Sequence, residues 1–80
     1  MIGGEMLNYC IYFRDANGEH HQYAADENGK PVMRDFCKSM SELENSNEFE
    51  IEMVVANGIC LFNSLNQDPI TWEDLMDLFA

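Results

Sequence analysis

The sequence predicts an α+β fold: a four-stranded antiparallel sheet built from two hairpins in the order ββ-α-ββ-α. The central helix should lie on one face, with a short helix at the C-terminus. Three observations lead there. Two β-branched and aromatic stretches are each interrupted by Ala-Asn-Gly, at 16–18 and 56–58. Between them, apolar residues recur at three- and four-residue steps. After the second hairpin, Pro69 and a Thr-x-x-Asp pattern introduce a short apolar run. The chain of 80 residues suits one domain, 1–80, whose core lies near the lower limit for independent stability.

The first strand is read in LNYCIYF, residues 7–13, and RDANGE after it carries Asn17-Gly18, a strong short hairpin signal. HHQYAA returns as the second strand. A two-residue turn at Asn17-Gly18 would set Tyr12 opposite Tyr23 and Ile11 opposite Ala24. DENGK is a polar loop, and Pro31 then suits the first turn of a helix. That helix is predicted over 31–44, with Val32, Met33, Phe36, Cys37, Met40 and Leu43 as its apolar stripe. Lys30, Arg34 and Lys38 step by four along another face, and the ENSN stretch ends it.

In FEIEMVVA, residues 49–56, alternation predicts Phe49, Ile51, Met53 and Val55 on the core face and Glu50 and Glu52 opposite. Asn57-Gly58 turns the chain into ICLFNS, with Val55 expected across from Cys60 and Met53 across from Phe62. Val54, Ala56, Ile59 and Leu61 would then share the other face, an apolar patch that must meet something. In ITWEDLMDLFA, Thr71 is placed as N-cap and Asp74 as the capping-box acid, with Glu73 and Asp74 at the positive end of the helix dipole. Trp72, Leu75, Met76 and Phe79 share one face of this helix, with Leu78 beside them. Glu73, Asp74 and Asp77 fall on the other. So short a helix does not hold alone in water and must dock. The expected dock is the chain's own second hairpin, over Val54, Ile59 and Leu61, because a small domain needs every buried aromatic it has.

Charge narrows the function. Fifteen acidic residues face four basic ones, for a formal net charge of −11. All four bases, Arg14, Lys30, Arg34 and Lys38, precede residue 41, and every charged residue after that point is acidic. Such a field repels nucleic acid and attracts basic partners, so direct DNA or RNA binding is excluded as an expectation. No apolar run approaches the roughly 18 residues that span a bilayer, so no membrane association is expected. The start lacks a basic n-region and carries Glu5, which makes the cytoplasm the expected compartment. Cys10, Cys37 and Cys60 are an odd set without C-x-x-C pairs, read as reduced core-filling thiols.

Catalytic, cofactor and metal chemistry find no support. His20 and His21 are neighbours on a strand and point to opposite faces, so they do not chelate one ion together. No serine sits in a nucleophile-elbow context, and Gly3-Gly4 is not a phosphate loop because no strand-to-helix junction with a lysine follows. DENGK opens somewhat like an EF-hand but breaks at Pro31 and lacks the terminal glutamate. The expectation is a non-enzymatic protein with no catalytic residue, no cofactor and no metal.

The acids then read as a surface. Glu50 and Glu52 on one strand face would stand ~6.8 Å apart, twice the rise per residue, a length scale similar to the phosphate repeat. With Glu42, Glu44 and Glu48 leading in, and Glu73, Asp74 and Asp77 from the terminal helix, the second half could present a phosphate-like array to a Lys/Arg groove. The competing reading is an acidic protein whose charges only keep it monomeric.

A small acidic chain without enzyme motifs, with LNYCIYFRDANGE opening a hairpin, resembles the small phage-encoded inhibitors of bacterial defence, the anti-CRISPR type in particular. The resemblance lies in the general plan and rests on no diagnostic motif, so no residue roles carry over. It implies a stoichiometric blocker of a nucleic-acid-handling protein, a nuclease or complex, acting at its guide, target-DNA or PAM-reading surface in the host cytoplasm. Charge complementarity would speed association as well as select the partner. The alternative, from another functional class, takes TWEDLMDLF as an amphipathic recognition helix. On that reading the chain is an adaptor, or a homodimer exchanging the helix, with Trp72, Leu75, Met76 and Phe79 as interface rather than lid.

Overall fold

The computed structural model of the chain describes residues 9–25, 29–43 and 48–79. Its elements run β1 (Tyr9–Arg14), β2 (His20–Ala25), α1 (Lys30–Glu42), β3 (Glu50–Ala56), β4 (Ile59–Asn63) and α2 (Trp72–Leu78). The four strands form one antiparallel sheet in the order β2-β1-β3-β4. The α+β class and the ββ-α-ββ-α order are therefore as the sequence predicts. Leu7, Asn8 and Glu44, assigned in the sequence to β1, β1 and α1, lie outside the described residues.

The first hairpin corrects the expected register. Ile11 pairs with Tyr23 and Tyr12 with Gln22, one residue away from the pairing a two-residue turn would give. The loop has three residues, because Asp15 N–H donates to the Glu19 carbonyl at 2.9 Å and Gly18 N–H to the Asp15 carbonyl at 3.0 Å. Gly18, at φ +84°, supplies the left-handed residue that closes such a loop. The Asp15 side chain selects it: Oδ1 accepts from the N–H groups of Asn17 and Glu19, both at 2.9 Å. In the second hairpin Asn57 (φ 53°) and Gly58 (φ 81°) do make a two-residue turn with both φ positive.

Two bulges rearrange the faces of that hairpin. Phe13 pairs with Ile51 and Tyr12 with Met53, which leaves Glu52 as an extra residue on β3. Val55 pairs with Cys60 as expected, but Val54, not Met53, faces Phe62, so Leu61 is extra on β4. Alternation is thereby reset between Ile51 and Val54, and both are buried in the core. Met53 and Val55, expected inside, stand opposite Tyr12 and Cys10, on the sheet face away from the core.

Both helices cover the same face. The core is Ile11 and Phe13 of β1, Ile51 and Val54 of β3, Phe62 of β4, Met33, Cys37 and Met40 of α1, and Trp72, Leu75 and Phe79. Helix α2 packs against α1 and does not cover the far side of the second hairpin: Ile59 stays 63% exposed and Leu61 38%. The α1 stripe is narrower than predicted, since Val32 and Leu43 are exposed. Of the thiols only Cys37 is buried. Cys10 is half-buried and Cys60 exposed, because the bulge at Leu61 turns that segment of β4 away from the core. Among the described residues, no helix is long and apolar enough to cross a membrane.

Candidate functional site

Three of the acidic residues, Glu48, Glu50 and Glu73, line hollows at the start of β3. Phe49 anchors that start from one side, its carbonyl accepting the Trp72 indole N–H at 2.9 Å. Thr71 caps α2: its hydroxyl accepts from Asp74 N–H at 3.0 Å, and the Asp74 carboxylate accepts from Thr71 N–H at 3.3 Å. This capping box fixes where α2 begins, and with it the position of Glu73.

Among the described residues, three shallow hollows lie around the strand. One of about 420 Å³ lies between the end of α1, the start of β3 and the N-terminus of α2, and Glu50 and Glu73 both line it with Phe49, Trp72 and Ile70. A second, of about 480 Å³, is bounded by Arg14, Asp15, Glu48 and Glu50. The third, of about 340 Å³, is lined by Tyr12, Glu52, Met53, Asn63, Ser64 and Leu65. Among the described residues, Arg14 is the single basic side chain in these walls, and its Nη2 donates to Glu50 Oε2 at 2.7 Å. That hydrogen bond holds the Arg14 pKa above its ordinary value.

The structure thus brings together Glu48, Glu50 and Glu73, with Glu52 on the open face beside them. Glu52 Oε1 lies 2.8 Å from His20 Nδ1 across β1, so Glu50 and Glu52 share a face as alternation predicts, each with a partner from the first hairpin. Glu42 is exposed at the last residue of α1, next to Ser41 of the first hollow. Asp74 is committed to the cap, Asp77 is exposed and lines none of the three hollows, and Glu44 lies outside the described residues. Of the α2 anchors, Trp72, Leu75 and Phe79 are buried in the chain's own core and Met76 packs half-buried against it.

Two acids escaped the sequence reading. Asp15 Oδ2 lies 2.8 Å from His21 Nε2, and the ligand-type atoms of Asp15, Glu19 and His21 all fall within 4.8 Å of one another. The hydrogen bond to His21, together with the Glu19 and Asn17 N–H groups, lowers the Asp15 carboxyl below its ordinary pKa. His20 and His21 do face opposite sides, His21 stacking on Phe13 at 5.3 Å while His20 meets Glu52. No local pattern signals the Asp15–His21 pair, because it depends on the three-residue loop that the sequence misassigns. No protein-family model, curated protein or solved structure matches the chain.

Proposed function

We propose that this protein is a non-enzymatic inhibitor that binds a basic, nucleic-acid-binding partner through the acidic ridge at the start of β3, by charge mimicry or by occluding its groove. The observation that carries this reading is the convergence of Glu48, Glu50 and Glu73 on adjoining hollows whose one basic wall residue, Arg14, is already paired. Glu42 strengthens it. A carboxylate in the last turn of a helix opposes the helix dipole, and α1 has no basic residue there to offset it. A placement that stability disfavours is the kind found where surface charge serves binding.

The physics follows from the field. A net charge of −11 draws a cationic groove toward the molecule and raises the association rate, an effect weakened by salt. Hollows beside each carboxylate give a lysine or arginine stem somewhere to lie while its head meets the charge. The partner class is a nuclease or similar effector with a Lys/Arg groove for DNA or RNA, and a CRISPR effector in the host cytoplasm is the instance the resemblance suggests. The adaptor or helix-exchange alternative has less to draw on, since the apolar anchors of α2 lie in the chain's own core.

The test is capture of partners from a bacterial lysate, eluted in steps to roughly 0.5 M salt and identified by mass spectrometry. A nucleic-acid-binding protein released by salt, displaced by added DNA or RNA and lost with Glu50→Lys plus Glu52→Lys is the expected result. A partner that resists salt and is lost with Trp72→Ala at unchanged stability would move the function to α2.

A further inference from the structure

The open face of the sheet carries a feature that charge mimicry does not use. Both helices lie on the opposite side, and Tyr12, Glu52, Met53, Asn63, Ser64 and Leu65 line a hollow of about 340 Å³ among the described residues. Leu65 is 90% exposed, yet it is not loosely held. Its N–H donates to Asn63 Oδ1 at 2.9 Å, the Asn66 N–H closes the turn onto the Asn63 carbonyl at 3.2 Å, and Gln67 Oε1 accepts from Asn63 N–H at 2.9 Å. An ordered turn therefore presents a large apolar side chain to solvent beside an acid and an aromatic ring.

We propose that this hollow receives one arginine side chain of the basic partner. The assignment rests on the partner being basic, and it names the anchor. Each wall answers a part of that side chain. Glu52, the extra residue of the β3 bulge, supplies the carboxylate, and its own backbone carbonyl is tied to Ser64 N–H at 2.9 Å, which fixes it relative to the turn. The guanidinium is planar and weakly hydrated, and it pairs with a carboxylate while lying on an aromatic face, here Tyr12. Met53 and Leu65 offer apolar surface for the three-methylene stem. Asn63 and Ser64 add neutral polar groups to the lining, and among the described residues no cation lines the hollow to compete. His20, the present neighbour of Glu52, is 71% exposed in its side chain and can swing into water when the arginine arrives. Lysine fits less well, because a compact ammonium cannot pair in two-pronged fashion and stack at once.

The experiment titrates the full chain with Nα-acetyl-arginine methylamide and with the neutral citrulline analogue, followed by amide NMR shifts. Saturable shifts centred on Tyr12, Glu52, Met53 and Leu65, with the citrulline compound and the Glu52→Gln protein each weaker by about tenfold, are expected. The Asp35→Asn protein, altered at an exposed position on α1, should bind the probe as the parent does. Shifts spread over all acids alike, or a Glu52→Gln protein that binds equally well, overturn the assignment. A chain that sediments as a dimer with the hollow silent to the probe overturns it in favour of a second copy as occupant. The two readings fail separately. Probe binding lost in Glu52→Gln, with no basic protein captured from lysate, keeps the arginine hollow and removes the inhibitor. A captured basic partner indifferent to Glu52→Gln but lost with Glu48→Lys and Glu73→Lys removes the hollow and keeps the inhibitor.

Discussion

The Trp72 indole N–H donates to the carbonyl oxygen of Phe49 at 2.9 Å, bridging the lid helix to the residue that precedes β3. The same ring stands edge-on to Phe13 and Phe36, at centroid distances of 5.4 and 5.7 Å, and is 4% exposed. One side chain therefore seals the core and sets where the strand bearing Glu50 and Glu52 begins.

Replacing that ring separates the two roles. Trp72→Ala removes a buried aromatic and should cost about 3–5 kcal/mol in urea unfolding. Trp72→Phe keeps most of the packing but strands the Phe49 carbonyl, for a loss of about 1–3 kcal/mol. Should Trp72→Ala unfold at the parental urea midpoint, the lid assignment of α2 is wrong.

Glu42 predicts the opposite sign. Exposed at the negative end of α1, it should destabilise that helix, so Glu42→Lys should raise stability by about 0.3–1 kcal/mol while weakening binding to a basic partner. Paired denaturation and binding measurements check this. A variant that is both less stable and equally well bound contradicts the proposed use of that charge.

Asp15 predicts a pH dependence. Its carboxyl lies below the ordinary 3.8, chiefly through the hydrogen bond to His21 and then through Glu19 N–H. A carboxyl depressed in the folded state stabilises above its unfolded pKa and loses that contribution as pH falls through the lower folded value. Asp15→Asn should therefore lower Tm near neutrality, with the gap to the parent closing as pH drops below about 3.8. A gap that stays constant from pH 7 down to pH 3 would mean that the carboxylate charge contributes nothing to folding.

The three thiols should divide by reactivity. Burial pushes the Cys37 thiol up to about 12, whereas Cys60 is exposed on β4. At pH 8 the native chain should be alkylated readily at Cys60 and remain unmodified at Cys37 until denaturant is added, as read by mass spectrometry. Fast labelling of Cys37 in native buffer would show that the α1 contact with the sheet opens easily.

Much of this was legible in the residues themselves. Hairpins, central helix and capped terminal helix follow from patterns a few residues long: Ala-Asn-Gly turns, the recurrence of Met33, Phe36, Cys37 and Met40, and Thr71 with Asp74. Each involves neighbours in the chain, so the driving interaction is present before any tertiary contact forms. The run of acids after residue 41 is equally a property of sequence, and it bounds the class of partner by charge alone.

Only the tertiary structure decided which residues meet. The Asp15 side chain, bonding Asn17 and Glu19, shifted the first hairpin by one residue. Bulges at Glu52 and Leu61 exchanged the faces of Val54 and Met53, and Tyr12, Met53 and Leu65 came to line one hollow with Glu52. Alternation along one strand cannot report this, because a bulge is chosen by pairing with the neighbouring strand and by the packing of a shared core.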